Sequence, residues 1–259
     1  MENGKLRIDG LNIAYARAGA GIPLVLLHGY PLDRSIWDLL LPLLEHDFDL
    51  LMPDLRGFGE SDVADPGRSL ASYAADVLAL MQQLGLIKAH VVGHSMGGYV
   101  ALAFARHYPE STAGIGLVSS QTAADPPERK AGRYASARRI LAEGVAPVAE
   151  TMSAQLTGVP AIQASLRKLI LGQRPAGLAF ALEAMAERPD STAVVTSSAK
   201  PVVIVHGDAD ALIAVDRARE IKDALPAAHY VELGGVGHMP MLEDPRAVAH
   251  ALRYFLGET

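Results

Sequence analysis

The stretch Val91-Val92-Gly93-His94-Ser95-Met96-Gly97-Gly98-Tyr99 constrains the fold more than any other in this chain. An apolar run leads into Gly-x-Ser-x-Gly, and a helix-forming segment through Ala101, Leu102, Ala103, Phe104 and Ala105 follows at once. A serine on a sharp turn between strand and helix has its hydroxyl pushed out at the sheet edge. The unpaired N–H groups of the helix N-terminus stand behind it. Gly93 and Gly97 suit such a turn because strand and helix approach too closely there for a Cβ. Glycine-rich chains carry this pattern often, so its meaning depends on what surrounds it.

Around it, strands alternate with helices. Leu6-Arg7-Ile8 and Leu11-Asn12-Ile13-Ala14-Tyr15 flank Asp9-Gly10, a two-residue hairpin signal. Pro23-Leu24-Val25-Leu26-Leu27 is continuously apolar and ends at His28-Gly29, as expected of a strand covered on both faces. Residues 35–44 have helical spacing, with Ile36, Leu39, Leu40 and Leu43 on one side and Pro42 disturbing it. Trp37 is expected beneath this first helix. A strand over 48–51 leads into the loop 53–62, and 70–84 reads as a helix ended by Gly85. Strands follow over 89–94 and 115–118. From about 122 to 196 the chain shows short helical patterns, its only strand-like signal being Ala193-Val194-Val195. The rhythm resumes with a strand over 201–205, a helix over 216–225 and a strand over 229–233. A final amphipathic helix carries Val248, Ala251, Leu252 and Phe255. Such alternation implies right-handed crossovers and a mostly parallel sheet, with chemistry beyond the carboxyl ends of the strands.

With 259 residues, 50% of them hydrophobic, the chain suits one α/β core, residues 1–121 and 197–259, interrupted by a helical insertion at 122–196. A net charge of -6 argues against nucleic acid as a partner. The absence of cysteine removes disulfides, thiol nucleophiles and thiolate metal sites. Met1-Glu2-Asn3-Gly4-Lys5 lacks a signal-peptide pattern, and no apolar run reaches the roughly 18 residues of a membrane span. The expectation is a cytoplasmic protein without a membrane partner.

A serine hydroxyl needs a base to become a nucleophile, and histidine is the usual one. Of nine histidines, His46, His107 and His250 fall on helices or at their ends, and His90 and His229 at strand starts. His94 adjoins Ser95 on the tight turn, so its side chain should diverge from the hydroxyl. His28 and His206 close strands. His238 alone sits in a glycine-rich loop after the last strand, Gly234-Gly235-Val236-Gly237-His238, free to reach over the sheet edge. The acid that holds its tautomer is Asp210 in preference to Asp208, which can tie down its own loop, or Asp125 after the preceding strand. Oxyanion donors are expected from the N–H groups of Met96 and of Tyr30, the latter held extended by Pro31.

The order Ser95, Asp210, His238, with Leu-Leu-His-Gly-Tyr-Pro, Pro-Asp-Leu-Arg-Gly-Phe-Gly-Glu-Ser-Asp, Gly-His-Ser-Met-Gly-Gly, Gly-Asp-Ala-Asp and Gly-Gly-Val-Gly-His-Met, resembles the α/β-hydrolase superfamily over nearly the whole chain. That resemblance implies an α/β fold with a mostly parallel eight-stranded sheet flanked by helices, and a helical cap between strands 6 and 7. It also implies Asp210 as the acid. The chain looks most like small bacterial carboxylesterases, cofactor-free perhydrolases and 3-oxoadipate enol-lactonases. Epoxide hydrolases and haloalkane dehalogenases share the fold but carry aspartate where Ser95 stands. The expected substrate is a small-molecule ester or lactone, with no cofactor and no metal. C–C bond hydrolysis, a perhydrolase side activity and a slow-turnover sensor are the competing readings. The substrate pocket is expected among His28, His94, Met152, Leu156, Leu171 and Met239.

Overall fold

The computed structural model describes residues 1–63 and 69–257. The hairpin forms around Asp9-Gly10 as the sequence demands, with β1 (Glu2–Ile8) antiparallel to β2 (Leu11–Ala18) and Ile8 opposite Leu11. β3 (Ile22–Leu27), β4 (Phe48–Pro53), β5 (Ala89–His94), β6 (Thr112–Val118), β7 (Val202–Gly207) and β8 (His229–Leu233) complete one sheet of eight strands in the order β1-β2-β4-β3-β5-β6-β7-β8. From β4 to β8 every neighbouring pair is parallel, whereas β2 meets β4 antiparallel.

The unbroken apolarity of β3 has the expected cause. Leu24 and Leu26 face one hydrophobic core and Val25 and Leu27 the other, all four fully buried. Helices cover both faces. The core on the Val25 and Leu27 side, the first of the two, takes residues from α2 (Leu70–Gln83) and α3 (Met96–His107). The second takes Trp37, Leu40 and Leu44 together with Val248 and Leu252.

Residues 35–44 correct the sequence reading. Instead of one helix there is a 3₁₀ turn (Arg34–Trp37), capped by Asp33 accepting from the Ser35 amide, and then the short helix α1 (Leu41–Leu44). Pro42 has no N–H to give to the preceding turn and favours the start of a helix over its middle. The buried residues are therefore Ile36, Trp37, Leu40 and Leu44, while Leu39 is half exposed to solvent.

Between β6 and β7 lie α4 (Pro127–Glu143), α5 (Ala146–Leu156), α6 (Pro160–Leu171), α7 (Pro175–Ala186) and α8 (Thr192–Thr196). The strand-like Ala193-Val194-Val195 belongs to α8; the Asp190 carboxylate accepts the Thr192 amide and starts a helical turn there. α4 packs on α7 and α5 on α6. The insertion also touches the loop after β4. A Cβ on Gly57, whose φ is +89°, would lie 2.9 Å from Gly177 Cα, and one on Gly177 would lie 2.0 Å from the Gly57 carbonyl oxygen. The Arg174 guanidinium donates to the carbonyls of Phe58, Gly59 and Ser61 in that loop. After β7 come α9 (Asp216–Ala224), α10 (Pro240–Glu243) and α11 (Pro245–Leu252). α11 stops short of Phe255, which falls in a closing 3₁₀ turn.

Candidate active site

Ser95 stands between β5 and α3 with φ 51° and ψ −113°, a conformation that β-carbon sterics normally forbid. The surroundings hold it there. Its amide donates to the Val118 carbonyl at 2.9 Å, and its carbonyl accepts from the Gly98 amide at 3.0 Å and from the Ser120 hydroxyl at 2.8 Å. The glycines are necessary: a Cβ on Gly93 would sit 2.0 Å from the Gly97 carbonyl carbon, and one on Gly97 would sit 2.2 Å from the Leu27 carbonyl oxygen. The Ser95 side chain is left part-exposed at the sheet's carboxyl edge.

His238 follows β8 in a loop drawn toward the same edge. Its Nδ1 lies 2.6 Å from Asp210 Oδ2, so Nδ1 carries the proton and Nε2 offers its lone pair. The other oxygen of Asp210 accepts the amides of Leu212 (2.8 Å) and Ile213 (3.0 Å). Burial alone would raise the Asp210 carboxyl, but hydrogen bonds from His206 and His238, with the Ile213 amide, prevail and hold it far below the usual carboxylate range. Among the described residues no hydrogen bond joins the Ser95 hydroxyl to His238; in empty sites this contact is often long and closes on substrate.

His94 does diverge from Ser95, and does so to a purpose. Its Nε2 donates to the His238 carbonyl at 2.8 Å, and the two rings stand 4.8 Å apart. Burial, then the neighbouring His238 charge, pushes the His94 imidazole well below its ordinary value, so it remains a neutral donor. The N–H groups of Tyr30 and Met96 donate to no protein acceptor among the described residues, and Met96 opens α3, where its amide has no intrahelical partner. The Tyr30–Pro31 peptide bond is cis.

The rejected acids have other partners. Asp208 accepts the Gly235 amide at 2.6 Å and so ties down the loop, as its position suggests. Asp125 is enclosed by Arg188 (2.8 Å), Arg133 and Arg129 (3.7 Å) in the insertion.

The expected pocket residues require correction. His28, His94, Leu156 and Met239 are fully buried in the packed interior, and Leu171 points outward with 40% of its surface exposed. His28 is engaged through both nitrogens, Nε2 accepting from the Leu55 amide and Nδ1 facing the Gly29 carbonyl, each at 3.0 Å. A residue at a strand's carboxyl end can therefore support the edge from beneath without opening onto it. Met152 alone of the six lines a described cleft, one of about 310 Å³ between α4, α5 and Tyr30. Its walls are Tyr30, Ile140, Val148, Met152 and Leu182, and the exposed Ser136, Arg139, Thr151 and Gln155 form its rim. Sequence reasoning missed Ser120, whose signal is a hydroxyl directly after an apolar strand beside the elbow. It also missed the Leu156 carbonyl, which accepts the His238 amide at 3.0 Å and which no side-chain pattern reports. No group of three or more histidine, aspartate or glutamate side chains suited to a metal occurs among the described residues. No described helix is long and apolar enough to cross a membrane.

A family model for the alpha/beta hydrolase fold matches residues 22–245. The chain belongs to this family. Among solved structures of alpha/beta hydrolases, a thermophilic esterase from Thermogutta terrifontis is 35% identical, covers 99% of this chain and 98% of its own, and superimposes with a TM-score of 0.94. An enol-lactonase from Burkholderia xenovorans LB400 shares the fold at 24% identity and TM-score 0.90, over 98% of this chain and 100% of its own. Among curated relatives, the soluble epoxide hydrolase of Corynebacterium sp. is 43% identical over 98 residues, which make up 38% of this chain and 34% of that protein. The dihydrolipoyllysine-residue acetyltransferase component of the acetoin cleaving system of Cupriavidus necator is 31% identical over 96% of this chain and 68% of its own length. The esterase, the enol-lactonase and the epoxide hydrolase among these are hydrolases by name.

Proposed function

We propose that this alpha/beta hydrolase is a serine carboxylesterase acting on short-to-medium carboxylic esters, with Ser95, His238 and Asp210 as its triad. The observation that carries the reading is the 2.6 Å bond from His238 Nδ1 to Asp210, which leaves Nε2 unprotonated at the edge where Ser95 is presented. Nε2 takes the Ser95 proton as Oγ attacks the ester carbonyl carbon, and the oxyanion rests on the N–H groups of Tyr30 and Met96. Collapse breaks the bond to the alcohol oxygen, which leaves with the proton from His238. Water then gives its proton to Nε2, attacks the acyl-enzyme and returns Ser95 as the acid departs. Each oxyanion donor is worth about 2.7–4 kcal/mol in the transition state. Residues 122–196 serve as a cap over this edge, and Met152 and Tyr30 line the cleft between α4 and α5.

A serine supports this reading over epoxide opening, despite the epoxide hydrolase among the relatives. Its attack on an epoxide carbon would leave an ether that water cannot cleave, whereas an acyl ester formed on it is released by water at the carbonyl. A lactone is the cyclic case of the same reaction. The test is Ser95→Ala: release of p-nitrophenol from a short p-nitrophenyl ester and labelling by a fluorophosphonate should both vanish. Full turnover in that variant sinks the proposal.

A further inference from the structure

Asp210 carries more donors than orienting His238 requires. Besides the two amides on Oδ1 and the His238 proton on Oδ2, it meets a second imidazole: His206 Nε2 lies 3.2 Å from the same Oδ2. His206 is fully buried near the carboxyl end of β7, four residues before Asp210. Its Nε2 also lies 2.8 Å from the Ile213 carbonyl oxygen. Both neighbours are acceptors, so Nε2 must carry the proton, with the Ile213 carbonyl as its nearer acceptor and Asp210 Oδ2 as the second. The other nitrogen, Nδ1, is buried with no protein partner. A ring held in this way contributes one donor, given first to the Ile213 carbonyl with Asp210 Oδ2 beside it at 3.2 Å.

We propose that His206 is a positioning residue for the triad acid: its Nε2–H holds Asp210 Oδ2 from the sheet side, so that two imidazoles share one oxygen and the pull of the carboxylate on the His238 proton is moderated. The inference rests on the triad reading. β7 is well placed to act as the fixed member. A Cβ on Gly207, the residue after His206, would lie 2.1 Å from the Val236 carbonyl oxygen, so the strand end abuts the loop that carries His238. The other charged or titratable groups around the pair are His94, whose ring faces His238 from β5, and Glu232, which lies opposite His206 on β8 and is paired with Arg219. Glu243 on α10 is occupied by the Gly237 amide.

Removing the shared donor should strengthen the remaining bond to His238, so that the pair takes up its proton more readily. In His206→Phe the acidic limb of kcat/KM against pH for a short p-nitrophenyl ester should move to higher pH by about half to one unit, with kcat falling on the order of tenfold. In His206→Gln, whose Nε2–H can reach the same oxygen, the limb should return to the wild-type position. An unmoved limb in His206→Phe, with only a lowered Tm, overturns the proposal. Should that variant fail to fold, ¹⁵N-histidine NMR decides the matter. The His206 Nε2–H resonance must shift between wild type and Asp210→Asn, and an unmoved resonance overturns it. Ser95-independent turnover would instead remove the triad reading, a result the NMR comparison does not depend on.

Discussion

The amide of His238 donates to the carbonyl of Leu156 at 3.0 Å, so the helical insertion holds the backbone of the loop that presents the imidazole. On its other side the same residue is held by His94, which donates to its carbonyl. Leu156 ends α5, where helix carbonyls lack intrahelical partners, and its side chain is fully buried. Leu156→Ala should cost about 2–5 kcal/mol through the cavity it leaves. It should also lower kcat several-fold more than Leu44→Ala, an equally buried change in the same core that makes no contact with the His238 amide. Thermal unfolding alongside ester turnover checks this, and equal kcat for the two variants would show that the loop is held by something else.

Two glycines predict opposite outcomes. Gly132 lies inside α4 with nothing within 4 Å of an added methyl, so Gly132→Ala should stabilise by about 0.4–1 kcal/mol through the unfolded chain. Gly93→Ala drives a methyl onto the backbone of Gly97 and should abolish fluorophosphonate labelling. Tm and labelling measured on both variants separate the cases; a Gly93→Ala protein that labels normally would refute the close approach.

Asp125 and Asp210 should fail in different ways. Asp125→Asn leaves the buried Arg188 and the largely buried Arg133 short of their anion, a loss of about 3–5 kcal/mol in stability with kcat little changed in the protein that remains folded. Asp210→Asn should keep the fold and lose kcat by about 10⁴, as when the tautomer-holding acid is lost from other serine triads. Chemical denaturation and turnover on both variants test the assignment.

Acid sensitivity should begin well above the carboxylate range. Burial, with Lys88 nearby, pushes His90 from 6.5 down to about 4. Between those values the unfolded chain binds the proton and the folded one does not, so stability falls as pH drops through 6.5 and levels near 4. His90→Leu should flatten that slope in a Tm series across the window. The ring stacks on Phe255 at 4.3 Å, so some overall loss is expected, but the change in slope is the informative quantity.

Strand positions were legible because β3, β5 and β7 are covered on both faces and therefore read as unbroken apolar runs. The elbow was legible because only glycine fits at residues 93 and 97. The failures share a cause. Leu171 and Leu156 are both apolar positions on insertion helices, yet one faces solvent and the other the core. Their facing is decided by how α5 and α6 pack on each other and on the core, contacts between elements distant in sequence. His28 and His206 were visible as histidines at strand ends, but their engagement through ring nitrogens depends on Leu55 and Ile213, which no local pattern connects to them.

The meeting of Gly57 with Gly177 bears on how such an enzyme can be recombined. Backbone touches backbone there, so neither partner has room to adapt to a larger counterpart. A chimera that exchanges residues 122–196 for the corresponding segment of a relative would inherit the donor's α7, and any side chain arriving opposite Gly57 would lift that helix from the β4 loop. Transplantable segments are then those that bring a glycine to this crossing. The crossing acts as a lock on modular exchange, set apart in sequence from Ser95, Asp210 and His238.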